Sequence, residues 1–131
     1  MRVIETEIIN ALRNQSNFST TPIVNNYYGK NPNGHKHHRD KLAWNDDYPG
    51  IFSYLLWGHE IAKGDTIQKE IRISDCGYAT ATTKSRLNAL FAGLDIPMAC
   101  SVRNGSTVFF LYGKETHDRE ISAGLWKVLI G

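Results

Sequence analysis

Ile51-Phe52-Ser53-Tyr54-Leu55-Leu56-Trp57 and Ile67-Gln68-Lys69-Glu70-Ile71-Arg72-Ile73 are the two runs on which the fold turns. Both are rich in β-branched and aromatic residues, and the second ends in clean alternation, with Ile71 and Ile73 facing one way and Arg72 the other. They predict a hairpin. Between them, Gly58-His59-Glu60-Ile61-Ala62-Lys63 predicts a tight bend and a short further strand, with Gly64-Asp65 as the next turn. Gly58 supplies the freedom for a positive φ at the bend.

Toward the C-terminus, Asp75-Cys76-Gly77-Tyr78 reads as a bend out of the sheet. Thr80, Thr82 and Thr83 then precede a helix that runs to about Gly93. Leu87, Leu90, Phe91 and Leu94 form its buried stripe, with Lys84, Ser85 and Asn88 outside it. Thr82 is the expected cap, Thr80 the alternative, and Gly93 the expected stop. Residues 98–103 and 107–112 flank Asn104-Gly105, the strongest short hairpin signal in the chain. The tail, 121–130, has Leu125 and Leu129 at helical spacing but Trp126, Val128 and Ile130 at strand spacing; it is read as a strand closing the sheet.

Toward the N-terminus, Ile4, Ile8, Ala11 and Leu12 make one stripe of an amphipathic helix over 3–14, and Phe18 folds back after it. A short strand follows at 23–28. Residues 29–50 carry Pro and Gly punctuation and dense charge, including His35-Lys36-His37-His38-Arg39-Asp40, and read as one long polar loop. The order helix, strands, helix, strands gives an α+β class. The expected architecture is a mainly antiparallel sheet with an N-terminal helix and one central helix packed on it. Residues 1–131 are read as a single domain, with the 29–50 loop as an insertion.

Composition narrows the function classes. The chain has 131 residues, 41% hydrophobic and 11% aromatic, which excludes intrinsic disorder and repetitive fibres. Lys and Arg number 15 against 13 Asp and Glu, for a net charge of +2. Whole-domain basicity therefore makes no case for nucleic acid, and local clustering has to. Cys76 and Cys100 lack metal or redox spacing and read as reduced, semi-buried thiols. No run is long enough to span a membrane, and acids interrupt the N-terminal apolar residues where a secretion signal would be apolar. The expected location is the cytoplasm.

Three segments resemble a group of short, uncharacterised proteins of bacteriophages and mobile elements. Ile9-Asn10-Ala11-Leu12 leading to Asn17-Phe18-Ser19 is similar to that group's opening helix and its exit. Tyr54 to Ala62 is similar to its strand ending in Leu-His-Gly-Asn-x-Ile-Ala, with Trp57 and His59 replacing His and Asn. Residues 76–88 resemble its Gly-Trp-x-Thr-x-Thr-Thr-Lys-x-Arg-Leu-Asn signature, with Tyr78 in place of Trp. The resemblance implies a phage accessory protein in the host bacterial cell and carries over no catalytic residue.

Thr82, Thr83, Lys84 and Arg86 form the first candidate site. A helix start offers unpaired N–H groups and partial positive charge to an anion, and two hydroxyls with two cations would complete a phosphate contact. Capping alone accounts for Thr82 but not for the whole run. Lys36, Arg39 and Trp44, with Tyr27, Tyr28, Lys30 and Lys41 nearby, interleave cations with aromatics in the way that single-stranded nucleic acid is gripped, although Asp40, Asp46 and Asp47 oppose this. His35, His37 and His38 lack a preformed zinc pattern, so no metal and no cofactor is expected. Nucleic-acid binding through the phosphate backbone is the leading expectation. Protein–protein inhibition of a host defence or polymerase component is the alternative. A small enzyme using Cys76 or Cys100 with His59, Glu60 or Asp75 comes third, and no catalytic residue is assigned.

Overall fold

The computed structural model describes residues 3–20, 23–25, 35–116 and 125–129. Helix α1 covers Val3–Asn14 and is followed by β1 (Phe18–Ser19), β2 (Ile23–Asn25), β3 (His35–His37) and β4 (Asp40–Trp44). Three longer strands come next, β5 (Ile51–Leu56), β6 (His59–Asp65) and β7 (Glu70–Ser74). Helix α2 (Ala81–Gly93) separates them from β8 (Met98–Arg103), β9 (Ser106–Leu111), β10 (Lys114–Thr116) and β11 (Leu125–Leu129). The main sheet runs β1-β4-β5-β6-β7-β11, beside a three-stranded sheet β10-β9-β8 and the pair β2-β3. All the strand pairings are antiparallel. The class is α+β, with the N-terminal and central helices where the sequence predicts them.

Alternation builds the core. Phe52, Tyr54 and Leu56 of β5 point inward with Ile71 and Ile73 of β7, and meet Leu87, Leu90 and Phe91 of α2 and Ile8 and Leu12 of α1. Each such side chain contributes about 1.5–3 kcal/mol by leaving water. Asn104 and Gly105 both take positive φ (52° and 75°), the primed turn that suits the twist between β8 and β9. The tail strand β11 pairs with β7 and closes one end of the main sheet.

The structure corrects three expectations. The 29–50 stretch is not one loop: β4, inside it, is a central member of the main sheet, and β3 pairs with β2. Gly64-Asp65 is not a turn but the end of β6, where Gly64 lies opposite Phe52 and Ile71. Thr80, not Thr82, caps α2: its Oγ1 accepts the Thr83 amide at 3.2 Å. Gly93 ends α2 as expected, although the left-handed residue that follows is Asp95 (φ 56°). A Cβ at Gly93 would lie 3.2 Å from Ile9 Cα, so glycine there lets α1 approach α2.

The cap supplies a direct test. Thr80→Ala removes the acceptor for the Thr83 amide and the 3.1 Å contact between the two hydroxyls. It is expected to cost about 1 kcal/mol in urea unfolding, with Thr82→Ala well below that.

Candidate functional site

Arg86, expected in solvent beside a phosphate, lies in the interior. It is 2% exposed, and its partner Asp40, which opens β4, is fully buried. Asp40 Oδ1 accepts hydrogen bonds from Arg86 Nε (2.7 Å) and Tyr54 Oη (2.7 Å). Its Oδ2 accepts from Arg39 Nε (2.6 Å) and Arg86 Nη2 (3.3 Å). Arg86 Nη1 donates to Ser85 Oγ (3.1 Å), and that hydroxyl donates to Glu5 Oε1 on α1 (2.6 Å). One polar chain thus ties α1, α2, β4 and β5 together. Burial pushes the Asp40 carboxyl upward, but hydrogen bonds from Arg86, Tyr54 and Arg39 outweigh it and hold the group below its ordinary value. Tyr54 is pushed up by burial and by the Asp40 carboxylate that accepts its proton's hydrogen bond. This is an architectural centre whose core, Asp40 and Arg86, is closed to solvent.

The other proposed site residues separate. Thr83 is buried against its cap, Thr82 is half-buried and Lys84 is exposed on the first turn of α2. Arg39 is engaged on Asp40, with its side chain 40% exposed. Trp44 stacks on Phe52 (5.1 Å between ring centroids), and its indole N–H donates to Ser16 O, so it fastens the segment after α1 to the sheet. Lys36 lies on β3, but its side chain falls outside the described residues, as do Tyr27, Tyr28 and Lys30. Among the described residues, no group of three His, Cys, Asp or Glu is placed to hold a metal ion. Cys100 is buried and its thiol is pushed up to about 12 by desolvation. Cys76 donates its S–H to Glu60 O (3.3 Å).

An open cleft of about 360 Å³ lies instead between the β5–β6 turn and the start of α2. Leu56 and Ile61 contribute apolar lining; Trp57, His59 and Tyr78 give it aromatic walls. Thr80, Thr82 and Thr83 border it along the helix start, and Asp75 is its one acidic lining residue. None of the described residues lining it is Lys or Arg.

Local structure aims these aromatics. A register shift between Tyr54 and Leu55 makes Ile61 and Ala62 consecutive buried residues of β6, the mark of a β-bulge. Before the bulge, Leu56 pairs with His59 across a two-residue turn in which Trp57 and Gly58 both take positive φ (52° and 80°). Trp57 N donates to Arg39 O at 2.7 Å, anchoring the turn to the chain just before β4. The Trp57 ring remains 53% exposed. Tyr78 follows the turn at Cys76-Gly77, is 52% exposed, and stands 5.1 Å from the His59 ring at 43°. Asp75 holds that turn: Oδ1 accepts the Gly77 amide and Oδ2 accepts the Thr107 hydroxyl.

The sequence reading places Trp57 at the end of a strand run and Tyr78 in a bend, notes both as departures from a family pattern, and assigns neither to a site. The available signal was the dipeptide Trp57-Gly58 between two strand runs, a place where Asn or Asp is favoured and a tryptophan is costly.

The family model described as Kyanoviridae Gp96 protein matches residues 41–126. This chain belongs to that family. The Gp96 match supports the phage character that the sequence motifs imply, and it contains every residue lining the cleft, while Asp40 and α1 precede it. No curated protein and no solved structure matches the chain. Among the described residues, no helix is long and apolar enough to cross a membrane.

Proposed function

We propose that this phage protein acts by binding a protein of its host, as an inhibitor or adaptor, and that the cleft between Trp57 and Tyr78 is the contact site. The observation carrying this reading is Trp57: a bulky residue held at positive φ, at a cost of about 1–3 kcal/mol, with half its ring in water. Tyr112 takes the same conformation in its own exposed turn, and what sets Trp57 apart from it is that Trp57 lines the cleft. Aromatic residues are the side chains most enriched at protein interfaces, and near-neutral net charge suits a protein partner.

Trp57→Asn separates function from folding. Asn tolerates the left-handed turn position, so the variant is expected to match or exceed wild-type stability by up to about 1 kcal/mol. It should nevertheless lose a stoichiometric partner that the wild type captures from nuclease-treated host lysate. Capture by Trp57→Asn equal to wild type would overturn the assignment.

Nucleic-acid binding is the second reading, favoured by exposed Lys84 and half-open Thr82 at the start of α2. It ranks lower because Arg86 and Arg39 are engaged on Asp40 and none of the described residues lining the cleft is Lys or Arg. If it holds, affinity for a single-stranded oligonucleotide will fall steeply between 50 and 200 mM salt (~300-fold for six phosphate contacts), and Lys84→Ala will weaken every sequence alike.

A further inference from the structure

The cleft has a definite chemical preference. Three of its lining side chains, Trp57, His59 and Tyr78, are aromatic, and its one acidic residue is Asp75. The faces of aromatic rings carry negative potential and attract a cation within about 6 Å of the ring centre. No Lys or Arg is among its described lining residues, and the nearest cation along α2, Lys84, is exposed to solvent rather than part of the lining. A phosphate or carboxylate at the same spot would face the Asp75 carboxylate. The helix start offers it less than a bare one would, because Thr80 Oγ1 already takes the Thr83 amide and Tyr78 O takes the Thr80 amide. An uncharged aliphatic anchor would leave Asp75, half-buried beside it, with no compensating positive charge.

We infer that the cleft is a cation–π site that receives an arginine or lysine side chain of the partner protein, with Trp57 and Tyr78 as walls and Asp75 as the counter-charge. The inference rests on the protein-binding reading and adds to it the chemistry of the partner's anchor residue. The volume, about 360 Å³, is at the small end of the ~300–1,000 Å³ typical of ligand clefts and admits one long side chain rather than a folded element.

Choline and its uncharged carbon isostere, 3,3-dimethylbutan-1-ol, have nearly the same shape and differ in charge, so they isolate the cationic contribution. With the full chain, the Trp57 indole N–H and the backbone amides of Trp57, His59 and Tyr78 should shift in NMR spectra on adding choline. Saturation is expected at roughly three- to tenfold lower concentration than with the alcohol, the range a partly exposed cation–π contact gives. Trp57→Asn should abolish the shifts of the two remaining residues. Asp75→Asn, if its circular dichroism matches wild type, should shrink the preference for choline to under about twofold. Equal affinity for the two probes would overturn the inference, as would shifts of these signals by hexathymidylate without any by choline. If choline fails while Trp57→Asn still loses its captured partner, the cationic anchor falls and the protein-binding reading stands. If choline binds as described while Trp57→Asn keeps the partner, the cleft is a cation-binding site, but the protein-binding reading and the partner's anchor both fall.

Discussion

Replacing Arg86 with methionine is expected to cost about 3–5 kcal/mol, measured by urea unfolding, although the two side chains have similar length and the helix preference barely changes. The loss comes from Asp40, which is fully buried and would keep its negative charge with Arg39 as its remaining cation. Arg39 is much more exposed and more weakly held than Arg86, so its ion pair is screened by water. Asp40→Asn should be of similar severity for the mirror-image reason, an arginine interred without its counter-ion. The pair itself need not be worth its desolvation. Asp40→Leu, Arg86→Met and Tyr54→Phe combined would remove every main member together and should lose far less than the sum of the single variants. A triple variant as damaged as that sum would show that the network is more than mutual compensation.

Acid sharpens the same expectation. The folded Asp40 carboxyl lies below its ordinary value of 3.8, so the folded chain binds its proton less readily than the unfolded chain does. The stabilisation is therefore fully present above that ordinary value and is lost as pH falls through the lower, folded one. Wild-type stability should drop along that descent, and the triple variant, which has no carboxylate at this position, should show a flatter acid limb.

The Asp40–Arg86 pair also explains what could and could not be read from the residues alone. The tail strand carries helical and strand spacings at once, whereas the hairpin, the two helices and the Asn104-Gly105 turn announce themselves locally, through alternation, helical spacing or a turn dipeptide. The strand β4 does not. Its inward positions begin with an aspartate, so Asp40-Lys41-Leu42-Ala43-Trp44 looks like charged loop until the arginine that neutralises Asp40 is known to be 46 residues away. For the same reason Arg86 looked like a solvent-facing cation: the cue that would have buried it was the strand that had been missed. Each error depended on the other. The cleft was hidden differently. Trp57 and Tyr78 lie 21 positions apart and converge because the two-residue turn after β5 and the turn at Cys76-Gly77 direct them, neither of which leaves a strong local mark.

Gly64→Val should be strongly damaging, even though a strand interior normally gains from β-branched residues. Gly64 pairs with Phe52 across β5 and β6, and the Phe52 ring lies where a Cβ on residue 64 would be built. That ring has little room to retreat: it is 1% exposed and is packed by Trp44 on its other neighbouring strand. Gly64→Ala is expected to lose about 1–3 kcal/mol, and Gly64→Val more, against a gain of up to about 1 kcal/mol that strand propensity alone would give. Combining Gly64→Ala with Phe52→Leu replaces the rigid ring by a smaller, adaptable side chain. The double variant should be more stable than the two single costs imply, by about 0.5–3 kcal/mol of coupling. Additive losses would place the damage in the β6 backbone instead, and a neutral Gly64→Ala would mean that the Phe52 ring does not cover this glycine. Either result would also unsettle the position of Trp44, whose indole bridges that ring to the segment following α1.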